Sequence, residues 1–199
     1  MKKIIACLAL AFTVGSAFSQ TFMQGAGITV MGSANQGNFS YGEGFTYSPR
    51  INFVETDKLS VSAGIPLSVA ISASTYTTYD IYYGDTYDNV SVGFIINAPL
   101  IINLNMGRGS TKENRQKFGY FVGAGFGYHH GDFLVDETDP YGNYYTGNRS
   151  LNTFGPAGNA GVRFGVGRKH KNIEVKLSYM KGLNDTKPNI FGIAGLFNF

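Results

Sequence analysis

The feature that constrains this chain most is an alternation of apolar and small polar residues that returns in one segment after another. From residue 89 to 106 the even positions read Val90, Val92, Phe94, Ile96, Ala98, Leu100, Ile102, Leu104 and Met106, whereas the odd ones include Asn89, Ser91, Gly93, Asn97, Asn103 and Asn105. From 59 to 72 the phase is reversed, with Leu59, Val61, Ala63, Ile65, Leu67, Val69 and Ile71 set against Ser60, Ser62, Gly64, Ser68 and Ser72. A period of two puts successive side chains on opposite faces of a strand, so each segment is a ribbon with one apolar and one small polar face. Residues 22–33, 39–54, 117–129, 154–167, 172–181 and 189–199 follow the same rule less strictly, which brings the expected number of strands to eight. The 27 Gly, 16 Phe and 13 Tyr residues agree with sheet and not with helical bundles.

Charge decides what the apolar face touches. A soluble eight-stranded barrel of the lipocalin kind shares the alternation, but its apolar face points inward and its water-facing surface is rich in Lys and Glu. Here 15% of residues are charged, and the polar faces are Gly, Ser, Asn and Thr. Such a face suits a narrow lumen, and the opposite face suits lipid. In hydrocarbon every backbone amide must be paired within the protein, so a sheet can span only as a closed barrel. The connections alternate as well: Glu55-Thr56-Asp57-Lys58 and Arg168-Lys169-His170-Lys171 are tight turns, whereas 73–88 and 130–153 read as long exposed loops. The polar stretch 107–116 is longer than a hairpin needs. The expected fold is all-β, an eight-stranded antiparallel up-and-down transmembrane β-barrel with short periplasmic turns and longer outer loops.

Residues 1–19 read as a cleaved secretory signal peptide, leaving 20–199 as the barrel domain. Lys2 and Lys3 form a basic n-region, Ile4 to Val14 an apolar h-region, and Gly15-Ser16-Ala17-Phe18-Ser19 the small residues before the cut. The apolar run is too short for a bilayer anchor, which needs about 20 residues. Ile4-Ile5-Ala6-Cys7 has the outline of a lipobox, but too few apolar residues precede Cys7. Cleavage would remove Cys7 and leave no thiol for a disulfide, a metal or a nucleophile. Without Lys2 and Lys3 the chain has 14 basic and 13 acidic residues, a balance of +1 that gives no case for nucleic-acid binding.

The final segment, Asn189 to Phe199, places Phe191, Ile193, Phe197 and Phe199 on one face and ends on an aromatic residue. Together with the leader and the alternating segments, it resembles the small eight-stranded outer-membrane barrels of the OmpA/OmpX type, over residues 21–199 and without a peptidoglycan-binding domain. The resemblance implies a place in the bacterial outer membrane among its lipids and lipopolysaccharide. It also implies insertion by the barrel-assembly machinery, with Phe197 and Phe199 in the insertion signal. Two features strain a regular barrel. Pro49, Pro66, Pro99 and Pro156 fall inside strands and remove ladder donors, so bulges or open pairing are expected there. Glu43 falls on the apolar parity, where a charge is costly near the midplane and less so toward the outer end.

Function is written more faintly. Arg50, Arg163, Glu174 and Lys176 share the lumen parity near the periplasmic end. Paired, they form a structural plug, the expected reading; the other reading is a constriction or gate of a narrow pore. His129, His130 and Asp132 reach the outer rim, where lipid A-modifying barrels can keep a His-based site, yet no Ser is fixed beside them and the deacylase and palmitoyltransferase motifs are absent. The outer loops carry Tyr79, Tyr82, Tyr83, Tyr141, Tyr144 and Tyr145, which serve either partner binding or an interfacial girdle. Asp136 to Asn143 lacks EF-hand spacing. No catalytic, cofactor or metal residue is assigned. The expectation is a non-enzymatic barrel with a structural or surface-interaction role and an extracellular partner, the alternatives being a lipid A-modifying enzyme and a small-solute pore.

Overall fold

The computed structural model describes residues 21–35, 38–79, 86–138, 144–167, 171–185 and 187–199; the expected leader lies outside them. Among the described residues there are nine strands: β1 (Thr21–Asn35), β2 (Asn38–Glu55), β3 (Leu59–Gly64), β4 (Leu67–Tyr79), β5 (Thr86–Gly107), β6 (Phe118–Thr138), β7 (Tyr144–Gly165), β8 (Asn172–Lys181) and β9 (Asn189–Asn198). β3 and β4 share one position, each pairing with β2 on one side and β5 on the other, so nine strands make a ring of eight. The remaining neighbours pair antiparallel in chain order, and β9 closes on β1 from Gly25↔Asn198 to Ala34↔Asn189.

The two faces are sorted as the alternation requires. Ile28, Phe45 and Val92 stand outward at 68%, 74% and 71% exposure, while Asn52, Ser60, Ser62 and Asn105 on the opposite parity are fully buried in the lumen. Outward aromatic residues gather toward both ends. Phe118 packs edge-on against Phe164 near the turns, and Tyr128 and Phe154 meet near the opposite end, as do Tyr179 and Phe191. This is the girdle pattern of a sheet whose middle lies in hydrocarbon.

The break between β3 and β4 has a local cause. The β2–β4 ladder ends at Tyr47↔Leu67 and the β2–β3 ladder begins at Arg50↔Gly64, so Ser48 and Pro49 lie opposite Ile65 and Pro66 in the gap. On the other side the β3–β5 ladder stops at Gly64↔Ile101 and the β4–β5 ladder starts at Ser68↔Asn97, which leaves Pro99 opposite Pro66. Three proline positions therefore share a single opening, crossed by a bond from Ile65 N–H to the Pro49 carbonyl at 3.3 Å. Pro156 stays within a continuous ladder, opposite Phe126.

The ends of the barrel differ. The turns 56–58 and 108–117, the C-terminal end of β7 and the start of β8 lie with Thr21 and Phe199 at one end, the periplasmic one by the rule of short inner turns. At the other end the expected loops 73–88 and 130–153 are largely strand. β4 and β5 stay paired out to Tyr79↔Thr86, and β6 and β7 out to Thr138↔Tyr144. The barrel neighbours stop sooner: β5 leaves β6 at Ile96↔His130, and β8 leaves β7 at Ala157↔Met180. Two β-ribbons thus rise above the rim. Their Tyr and Thr residues favour extended backbone, but outside lipid neither face is dictated and the alternation fades.

Candidate functional site

The periplasmic floor is built around one carboxylate oxygen. Glu174 Oε2 accepts from Arg163 Nε at 2.7 Å, from Asn198 Nδ2 at 3.2 Å and from Arg50 Nη1 at 3.3 Å. Glu174 and Arg163 are cross-strand partners, while Arg50 and Asn198 reach in from β2 and β9. The second positive charge is met by the 108–117 turn, which folds into the barrel end. The Gly109 carbonyl accepts from Arg50 Nη2 at 3.2 Å and Arg163 Nη1 at 3.3 Å, and the Ser110 carbonyl accepts from Asn52 Nδ2 at 2.7 Å. Gly109 has φ +74°, a conformation that aims this carbonyl with little strain only because no Cβ is present. Arg163 also donates to Asn105 Oδ1 at 2.9 Å and lies 4.3 Å over the Phe121 ring.

The same turn ties the floor together. Arg108 Nη2 donates to the Lys171 carbonyl at 2.8 Å, and Asn114 Nδ2 to the Asp57 carbonyl at 2.9 Å, so it is joined to the start of β8 and to the 56–58 turn. The length of 107–116 beyond a hairpin's need was the sequence trace of this plug. The roles of Arg108, Gly109 and Ser110 were not assigned from sequence, because backbone carbonyls do the accepting.

Lys176 lies two residues from Glu174 on the same face of β8 and within electrostatic reach of Glu174, Arg163 and Arg50, but it makes no hydrogen bond to them among the described residues. It is buried, and it lines a lumen cavity of about 20 Å³ together with Ser68, Asn97, Asn159 and Ser178, room for about one water. Outward of this cavity Met31, Ala70, Ile95, Met180 and Ile190 pack into an apolar layer across the lumen. Beyond it lies the outer mouth. Ser33 and Ser40 hydroxyls share a 2.6 Å bond, and Ser40 Oγ donates at 3.1 Å to the Asp132 carbonyl on the far side of the ring. The Asp132 carboxylate accepts from Ser150 Oγ and fills the space where a Cβ on Gly93 would stand. Gly131 and Asp132 are both buried, so parity breaks where the β6–β7 ribbon leans over the mouth.

The two histidines face opposite ways. His129 is buried in the lumen, with Nδ1 3.3 Å from Asn97 Oδ1; His130 is on the outer wall, with Nδ1 2.8 Å from Asn152 Oδ1. The nearby hydroxyl of Ser150 is engaged by Asp132 and not by a histidine. Of the tyrosines singled out, Tyr79, Tyr144 and Tyr145 lie at the ribbon tips, and Tyr82, Tyr83 and Tyr141 lie outside the described residues. Phe197 and Phe199 stack at 6.3 Å between ring centroids, and Phe199 N–H donates to the Gln24 carbonyl at 3.0 Å.

The closed ring of antiparallel strands is shared by solved structures. Ail, the attachment invasion locus protein of Yersinia pestis, superposes with a TM-score of 0.51 at 10% identity, over 90% of this chain and 98% of that one. Neisserial surface protein A superposes with a TM-score of 0.50 at 9% identity, over 90% and 97%. The fold is that of the OmpA/OmpX-type outer-membrane barrels. No family model and no curated protein sequence matches the chain. In this barrel the bilayer therefore meets the outward Val, Ile, Leu and Phe wall, and the charged cluster is sealed from it.

Proposed function

We propose that this chain is a non-enzymatic bacterial outer-membrane barrel that acts at the cell surface through its two ribbons, inserted by the barrel-assembly machinery and surrounded by outer-membrane lipid and lipopolysaccharide. The observation that carries this reading is the β6–β7 ladder, which continues from Gly131↔Leu151 to Thr138↔Tyr144 beyond its barrel neighbours. An extended ribbon held above the rim offers strand edges and side chains to an extracellular partner, while the barrel anchors it. The names of the two structural neighbours, an attachment invasion locus protein and a surface protein, are of the same kind. A floor closed by paired charges and an apolar layer above it support a sealed anchor over a pore. Histidines on opposite faces of the wall support a non-catalytic rim over a lipid A-modifying site.

The test replaces 77–88 and 131–151 by two-residue turns, which keeps the Tyr76↔Asn89 and His130↔Asn152 registers of the barrel. Unboiled protein should still migrate as a folded barrel on a gel, and binding of cells to host-surface material should be lost. Retained binding would move the interaction elsewhere. Lipid A of altered mass in an overexpressing strain, abolished by His129→Ala or His130→Ala, would reinstate the enzyme.

A further inference from the structure

Among the described residues Glu43 is the charged side chain that the outward face carries at the outer edge of its apolar band, whereas Lys181 and His130 on that face stand at strand ends by the rim. It is exposed, and makes no hydrogen bond or ion pair among the described residues. Its cross-strand neighbours are Val30 and Ile71, and Tyr41 and Phe45 flank it along β2. Phe53, toward the periplasmic end of β2, lies ten positions beyond Glu43, and about 9–11 residues of tilted strand cross the hydrocarbon. The carboxylate thus lies at the outer hydrocarbon boundary, at the level of lipid headgroups.

Beside it the wall is notched. On β1 Gly32 pairs with Tyr41 of β2 and with Phe191 of β9; the Phe39 ring lies against the bare Gly32 backbone, and beside it runs a groove of about 280 Å³. The groove is floored by Gly32 and Gly192 and walled by Val30, Tyr41, Phe191 and Ile193. Its lining is apolar, and Glu43 adjoins it as the cross-strand partner of Val30, two residues along β2 from Tyr41.

We propose that Glu43 and the Gly32-floored groove bind an amine-bearing membrane lipid, with the headgroup ammonium on the carboxylate and an acyl chain in the groove. Charge complementarity selects this occupant. A carboxylate set in lipid is costly unless paired, a headgroup carrying phosphate without an amine is repelled by it, and an ammonium at the same depth neutralises it. The site is separate from the ribbons and does not depend on their role.

The experiment is native mass spectrometry of the mature barrel released from bilayers of equimolar phosphatidylethanolamine and phosphatidylglycerol. EDTA is present so that no divalent cation bridges carboxylate and phosphate. The expected result is preferential retention of phosphatidylethanolamine, reduced about fivefold by Glu43→Gln, the factor that ~1 kcal/mol of ion pairing corresponds to. Gly32→Leu, which adds bulk to the groove and whose Cβ meets the end of the Phe39 ring, should lower retention while leaving the carboxylate in place. Gel mobility of the unboiled variants reports that they fold. Equal retention of both lipids, or retention unchanged in either variant, overturns the proposal. So does a dimer that Glu43→Gln dissolves, because a second copy would then be the occupant.

Discussion

Arg163 and Glu174 face each other across the β7–β8 ladder, with Nε 2.7 Å from Oε2 in a part of the lumen that buries both side chains. Removing the acid strands two guanidinium groups, since Arg50 leans on the same oxygen. Loss of one partner from a buried pair costs about 3–5 kcal/mol. Glu174→Ala should therefore lower the urea midpoint for conversion of the fast-migrating barrel to the unfolded band. An unchanged midpoint would mean that the turns hold the floor without it.

Closure of the lumen rests on two separate layers. Planar-bilayer recordings of the wild type should be silent, and Arg50→Ala should be silent too, because the Met31, Ile95 and Met180 layer stands above the charged floor. Defined current steps that change with Arg50→Ala or Arg163→Ala would turn the cluster into a gate.

Gly93 leaves the space that the Asp132 carboxylate fills. Gly93→Leu should push the β6–β7 ribbon off the mouth, at a cost of about 1–3 kcal/mol for forced repacking. The readout is limited proteolysis of intact cells, with faster cleavage within 130–153 and a surviving barrel core. Equal cleavage rates would show that Asp132 does not fix the ribbon.

Phe199 extends the closing seam by its bond to the Gln24 carbonyl and its stack on Phe197. Deleting Phe199 should slow appearance of the heat-modifiable band in a time course of assembly, while the fully inserted barrel changes little in stability. Assembly at the wild-type rate would remove the C-terminal aromatic from the insertion signal.

The alternation made the wall legible because two solvents enforce it: Val92 and Phe94 face lipid while Ile95 and Asn97 face the lumen. Above the rim only water is present, so 74–79 and 131–138 lost the signal and read as loops. The lumen parity of Arg50, Arg163 and Glu174 was visible for the same reason. Gly109 and Ser110 were not, because their contribution is a carbonyl direction set by a turn. Asp132 stands at the outer rim, where the sequence put it, but its inward direction was not legible because it follows from the parity break beside Gly131. The four prolines were visible as defects, but the sharing of one opening by Pro49, Pro66 and Pro99 emerges only once the registers of β2 through β5 are laid side by side.

That shared opening has a consequence for how the cylinder meets oil. Each imide removes a donor, and donors removed at scattered points would leave lone carbonyls facing acyl chains at several places around the circumference. With three of the four gathered into one window between β2 and β5, those vacancies adjoin one another, and Pro156 is the single imide left elsewhere in the wall. Water seeping through the fence, or a strand slipping past its neighbour, has its widest opening there.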